Sequence, residues 1–179
     1  MANGTLKVGT IITSSGSGTI TLGQSGETVD FSNATTTLNS AMKATPAFMA
    51  YNSTVTSMTN NSPTKVLFQT ENFDVGSCYD TSTSRFTPTT AGKYFFNASV
   101  SVNSTGDFDK NDVNFYKNGS AFANFRTPHT SYTTSHGSVI IEADGDDYFE
   151  IYYEQNSGGA LNTINNQSTF FSAYRIIGA

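Results

Sequence analysis

The sequence contains one cysteine, no tryptophan and only four prolines in 179 residues. Because a disulfide needs two thiols, Cys78 cannot form one within the chain, and we expect it to be a small, partly buried hydrophobe. Charged residues are scarce too, at 13% of the chain, whereas aromatic residues reach 13%. A disordered protein would show more charge and fewer aromatics, so the chain is expected to fold.

The residues that build helical proteins are also few. Ala, Leu, Glu and Lys are poorly represented, which disfavours a helical bundle or an α/β protein. Thr, Tyr, Phe and Val are abundant instead, and these side chains favour pleated, half-buried strands. The composition therefore predicts an all-β fold, and the mass of 19.2 kDa allows one compact domain plus an accessory segment.

Positive charge and long apolar runs are both lacking. The net charge is −5, and the nine Lys and Arg residues are scattered. A duplex nucleic-acid partner is therefore not expected, because binding would need a basic stripe. No apolar run approaches the roughly 18–20 residues that span a bilayer, so membrane insertion is not expected either. The first residues also lack the pattern of a secretory signal.

Residues 1–32 carry a Gly-Thr-apolar repeat that begins at Gly4, Gly9 and Gly18. The repeat predicts short strands separated by glycine turns. These strands have too few large side chains to fold alone, so three copies would have to wrap into a β-prism or dock onto a larger assembly. A flexible Gly/Ser arm is the alternative. The residues expected to anchor such an arm are Leu6, Val8, Ile11, Ile12, Ile20 and Leu22.

Residues 33–45 are interpreted as a linker, and residues 46–179 as a globular head. The head shows many short predicted strands with turn signals between them. The best hairpin signal is Asn118-Gly119, between Val113–Lys117 and Ala121–Phe125, because Asn-Gly favours a type I′ turn. This pattern predicts an antiparallel sandwich or jelly roll.

Both faces of the last two predicted strands, Tyr148–Glu154 and Thr169–Ile177, carry aromatic residues. Alternate residues of a strand lie on opposite sides of a sheet. A monomeric sandwich needs only one apolar face per strand, so the second face is expected to pack against another subunit. The expected trimer-interface residues are Tyr148, Tyr152 and Phe171.

Residues 79–96 (YDTSTSRFTPTTAGKYFF) resemble the central signature of the C1q/TNF-like jelly roll. That signature has Tyr-Asp, then Gly-x-Phe, then Pro-Gly-x-Tyr-x-Phe. Residues 46–51 resemble the first strand of the family, and residues 147–151 and 170–174 resemble its last two strands. Two positions depart from the signature, because the family often has Gly in place of Ser84 and Pro in place of Ala91.

The resemblance covers residues 46–177 and implies a ten-stranded jelly roll that forms a homotrimer. It also implies binding through exposed loops or intersubunit grooves, and no catalysis. The N-terminal arm does not resemble a collagen stalk, since glycine is not every third residue. The arm is similar instead to the short attachment arms of marine-phage fibre and virion proteins.

Two acidic runs are candidate metal sites. Residues 107–112 resemble half a calcium loop, but Asp112 and Asn118 stand where an EF-hand has its Gly and Glu. Residues 144–147 fit ordinary turn chemistry. We expect solvated loops and no cofactor, with calcium at the first run as the open alternative.

The head shows no catalytic constellation. His129 and His136 flank a Ser/Thr-rich loop, but a Gly-x-Ser-x-Gly nucleophile elbow is missing. Glu150 and Glu154 would lie about 13 Å apart along one strand, and nothing in the sequence pairs them across a cleft. The loop residues are better suited to contacting host-surface glycans, and those expected to do so are His129, Tyr132, His136 and Asn156.

These expectations combine into one hypothesis. The chain is a non-enzymatic phage virion protein, either a surface spike or fibre or a capsid decoration protein. It is made in the host cytoplasm and released by lysis. Its arm binds other virion proteins of the capsid or tail, and its trimeric head is available to host glycans. The alternative is a secreted C1q-like lectin that belongs to no virion.

Overall fold

The computed structural model describes residue 28 and residues 45–104, 106, 108–127 and 134–176. The six predicted anchoring residues of the arm lie outside the described residues, as do His129 and Tyr132. The chain divides into two units, Met1–Thr37 and Leu38–Ala179. All of the strands described below belong to the second unit. Within the described residues, no helix is long and apolar enough to cross a membrane.

The described part of the second unit contains thirteen strands, and every ladder between them is antiparallel. The strands are β1 (Ala47–Tyr51), β2 (Ser57–Met58), β3 (Thr64–Lys65), β4 (Thr70–Val75), β5 (Tyr79–Asp80), β6 (Arg85–Phe86), β7 (Gly92–Asn103), β8 (Asn111–Lys117), β9 (Ser120–Arg126), β10 (Thr134–Ala143), β11 (Phe149–Gln155), β12 (Leu161–Thr163) and β13 (Phe170–Arg175).

The strands form two sheets that pack face to face. In the first sheet the order is β4–β1–β13–β7–β10, and β12 and β2 extend it beside the end of β7. In the second sheet the order is β5–β6–β11–β8–β9, with β3 beside β11. The predicted antiparallel jelly-roll sandwich is confirmed.

An aromatic core joins the two sheets. Phe48 of the first sheet stacks on Tyr79 and Phe86 of the second, with ring centroids 4.5 and 4.7 Å away. Phe171 of the first sheet meets Phe48 edge-on at 4.9 Å. These four side chains are buried, with exposed fractions of 0–7%. Because the rings come from both sheets, their contacts fix how the sheets pack.

The predicted hairpin is confirmed in β8 and β9. Asn118 and Gly119 both have positive φ, at 52° and 79°, as a type I′ turn requires. Ser84 also lies in the left-handed region, at φ 50°, which accounts for the glycine common at this position of the signature. Its hydroxyl accepts a hydrogen bond from the Phe68 backbone N–H at 2.9 Å. Cys78 is buried, as predicted.

The interface prediction is wrong at Phe171. The side chain is 0% exposed and packs against Phe48 and Phe96 inside its own chain. It therefore has no surface to offer to a second chain. The alternate residues of β13 point outward instead, and Tyr174 is 46% exposed.

The core predicts a large cost for truncating Phe171. Phe171→Ala should lower the free energy of unfolding by about 3–5 kcal/mol, because it removes a buried ring and leaves a cavity. Urea denaturation followed by circular dichroism measures the change. Leu67→Ala is the control, since Leu67 is 36% exposed and its truncation should cost far less. Equal losses for the two variants would contradict this description of the core.

Candidate interaction surfaces

A row of apolar side chains crosses the outer face of the first sheet. The register joins Val75 to Ala47, Ala47 to Tyr174, Tyr174 to Phe95 and Phe95 to Ile140. Each residue comes from a different strand, so the row runs from β4 to β10. We call these five residues the apolar band.

The apolar band is open to solvent in the single chain. Ile140 is 58% exposed, Val75 49% and Tyr174 46%. The rings of Tyr174 and Phe95 lie 5.4 Å apart. Phe73, which is 47% exposed, extends the patch along β4. A contiguous exposed apolar patch of this kind is a candidate interaction surface.

A second apolar surface lies where β9 and β10 face each other at the open edge of the sandwich. Its side chains pack on the core but are only half-buried. The Phe125 ring sits directly on the β10 backbone at Gly137, where a Cβ would collide with it. We call this surface the β9/β10 rim, and it consists of Phe122, Phe125, Val139 and Ile141.

The outer face of the second sheet is ionic rather than apolar. Glu150 is only 4% exposed. Its Oε1 accepts hydrogen bonds from Lys65 Nζ at 2.7 Å and from Arg85 Nε and Nη2 at 3.0 and 2.9 Å. Burial alone would raise the pKa of Glu150, but the hydrogen bonds from Lys65 and Arg85 lower it overall. Glu150 is therefore a structural carboxylate that stays ionised.

Three tyrosines lie around this ion cluster. Tyr116 and Tyr152 stack with centroids 4.0 Å apart. The Arg85 guanidinium lies 3.8 Å from the Tyr148 ring centroid. Tyr148 and Tyr152, both predicted at a trimer interface, are thus half-buried and already contact side chains of their own chain.

The two acidic runs provide ion pairs and turn contacts. Asp112 accepts hydrogen bonds from Arg126 Nε and Nη2 at 2.7 and 2.8 Å. Asp147 pairs with Lys117 at 2.7 Å and accepts a hydrogen bond from Asn118 at 2.7 Å. Among the described residues, no three His, Cys, Asp or Glu side chains form a group that could hold a metal. Asp107, the first residue of the predicted calcium run, lies outside them.

The two described loop candidates lie in different sheets. His136 lies in β10 of the first sheet, opposite Ser99, and is exposed. Asn156 directly follows β11 of the second sheet, and its Oδ1 accepts the Lys110 backbone N–H at 2.8 Å. Their role in receptor binding stays a prediction.

Two neighbouring clefts open where β7 ends. One has a volume of about 400 Å³ and is lined in part by Asn103, Ser157, Gly159 and Leu161. The other has a volume of about 350 Å³ and is lined in part by Val55, Asn103, Asn162 and Asn165. We call the two together the amide groove. Sequence reasoning missed its asparagines, because they come together only through the register of β12 on β7.

A family profile described as "C1q domain" matches residues 47–176. The chain belongs to the C1q domain family. No curated protein matches the sequence significantly. The match spans both sheets, so the apolar band, the ion cluster and the amide groove all belong to the C1q domain.

Solved structures share the fold at low sequence identity. The globular domain of zebrafish complement 1qA is 16% identical, with a TM-score of 0.52, and the match covers 73% of this chain and 97% of that one. Eiger TNF from S. frugiperda is 8% identical, with a TM-score of 0.56 and coverages of 74% and 93%. Murine APRIL is 10% identical, with a TM-score of 0.55 and coverages of 73% and 98%. These matches show that the C1q domain has the C1q/TNF-like jelly-roll fold.

The ion cluster predicts a pH-dependent contribution to stability. Because the pKa of Glu150 is held below its ordinary value of 4.5, the carboxylate stabilises the fold above that pH, and the effect is lost as the pH falls through the lowered value. Glu150→Gln should cost about 1–2 kcal/mol at pH 7, and the gap should shrink at pH 3.

Urea unfolding at both pH values measures this gap. Glu142→Gln is the control, because Glu142 is exposed and its side chain makes no ion pair with the described residues. A Glu150→Gln deficit that stays constant between pH 7 and pH 3 would contradict the assigned role.

Proposed function

We propose that the chain is a non-enzymatic, homotrimeric surface protein of a phage virion, docked by its N-terminal arm. The observation that carries the trimer is the exposed apolar band on a C1q domain. Three C1q heads would form the outer part of a spike, fibre or capsid decoration. The loops of these heads would be available to host-surface glycans.

Two different apolar surfaces on one chain favour a closed ring. The apolar band lies on the outer face of the first sheet, and the β9/β10 rim lies at the edge of the sandwich. Strand β10 borders both, with Ile140 in the band and Val139 and Ile141 in the rim. When the rim of one copy packs on the band of the next, the contact is heterologous, and a rotation of about 120° between copies closes such contacts into a ring of three chains.

This arrangement replaces Tyr148 and Tyr152 as the proposed interface residues. Tyr152 already stacks on Tyr116, and Tyr148 already lies beneath Arg85. Ile140, Val75 and Phe73, which are 58%, 49% and 47% exposed, all lie on the other sheet. We therefore propose that the second sheet faces outward in the trimer.

Charge placed in the apolar band should dissociate the trimer. Ile140→Glu puts a carboxylate on a side chain that is 58% exposed in the single chain, so the fold should tolerate it while the interface should not. Sedimentation velocity should show a shift from trimer to monomer. Tyr152→Gln is the comparison, and it should stay trimeric. If only the Tyr152→Gln trimer dissociated, the interface would lie on the second sheet instead.

The composition of residues 1–32 supports the virion role. The Gly-Thr-apolar repeats offer Leu6, Ile11 and Ile20 to a partner but too little apolar surface for folding alone. An arm of this kind needs an assembly to dock on. The single cysteine also fits a protein that matures without disulfides in a cytoplasm and is released by lysis.

Fractionation of a host lysate tests the virion role. An antibody to the head should detect the protein in the density-gradient fractions that contain phage particles. A chain without residues 1–32, added to particles that lack the protein, should fail to co-sediment, whereas the full chain should bind. Recovery of the native protein only as free trimer, away from particles, would favour the alternative of a secreted C1q-like lectin.

A further inference from the structure

The amide groove lies at the end of the head opposite the point where the chain enters it. The head begins with β1 at Ala47, which pairs with Tyr174, and Tyr174 pairs with Phe95 near the start of β7. Asn103 ends β7 eight residues later. At the rise of a strand this is about 27 Å away. A head attached through its N-terminal side would therefore carry the groove at its far end.

The groove also lies beyond the apolar band. The residues of β7 that alternate with its core positions are Phe95 in the band and then Asn97, Ser99, Ser101 and Asn103 toward the far end. Ser99 and Ser101 are buried and donate hydrogen bonds to the Ser168 carbonyl, whereas Asn103 is exposed. The contact proposed between copies is centred on the apolar half. The exposed end of β7, with the groove, is left for another partner.

Two side-chain amides stand side by side in the groove. Asn103 and Asn162 are direct cross-strand partners of β7 and β12, and both are exposed. Side chains of such pairs have Cβ atoms about 4.5–5.5 Å apart. Asn165 lines the same cleft. Within the described part of the chain, no residue forms a hydrogen bond with the side-chain amide of any of the three, so among these residues their donors and acceptors are unpaired.

The remaining lining is aliphatic or small, and it carries no charge. Leu161 lines one cleft, and Val55, which is 48% exposed, lines the other. Side-chain amides supply both donors and acceptors for hydroxyl groups, and aliphatic side chains contact C–H surfaces. The absence of lining charges among the described residues gives an ionic ligand nothing to pair with.

We propose that the amide groove binds an uncharged oligosaccharide, with Asn103 and Asn162 holding its hydroxyls. This inference rests on the proposed host-binding role of the head and gives that role a location and a ligand class. The site differs from the loop residues that the sequence indicated, although Ser157 of one cleft follows Asn156 directly.

The full chain, labelled with a fluorophore, is applied to an array of neutral, sialylated and sulfated oligosaccharides. We expect binding to neutral members. Titration calorimetry with the best neutral oligosaccharide then compares variants. Asn162→Asp keeps the size of the side chain but replaces its donor with a carboxylate, and it should weaken binding about tenfold or more.

The matched control is Asn72→Asp. It makes the same chemical change on exposed β4, three strands from β7 in the sheet, and it should leave the affinity unchanged. Thermal melts and sedimentation confirm that both variants keep their fold and oligomeric state. Equal affinities for wild type and Asn162→Asp would overturn the proposal. Binding only to charged glycans, or to no glycan, would overturn it as well.

An assay of attachment to host cells distinguishes a failure of this proposal from a failure of the proposed function. If the wild-type chain binds cells and Asn162→Asp binds equally well, the groove is not the site, but the host-binding role stands. If the wild-type chain binds no host cells, the host-binding role fails together with the groove.

Discussion

The aromatic contact between the two sheets is the constraint on which the rest of the structure depends. Phe48 stacks between Tyr79 and Phe86 and meets Phe171 edge-on, so one side of each sheet is fully committed to the core. Since side chains alternate along a strand, the core positions determine which residues face outward. The side chains on the outer faces are not part of the core, so they are available for other contacts.

The two outer faces differ in how far their side chains find partners within one chain. On the second sheet, Glu150 is neutralised by Lys65 and Arg85, and Tyr152 is stacked on Tyr116. On the first sheet, Ile140 and Tyr174 remain about half exposed, at 58% and 46%. Burial of that apolar surface in an assembly is favourable, whereas covering the ion cluster would remove its cations from water. This difference is the basis for the proposed trimer, in which the second sheet faces outward.

The fold was predictable because local signals agreed with the overall pattern. Asn118-Gly119 marks a hairpin by backbone preference alone, and the spacing of strands and turns predicts a sandwich. The period of two shows that Phe171 and Tyr174 lie on opposite faces, but it does not show which face is inside when both carry aromatics. Asn103 and Asn162 meet only through strand register, and Glu150 finds its cations on β3 and β6, 85 and 65 residues away. Nothing local in the sequence encodes such long-range pairings.

We propose that the apolar band is covered by another copy of the chain while the second sheet stays open. Hydroxyl-radical footprinting of the native full chain tests it most directly, because it reports the solvent access of individual side chains. Tyr174 is 46% exposed in the single chain, and we predict that it is strongly protected, together with Ile140 and Phe73. Tyr148 and Tyr152 should be oxidised at the rate of half-buried tyrosines. Oxidation of Tyr174 at the rate of an exposed tyrosine would contradict the account.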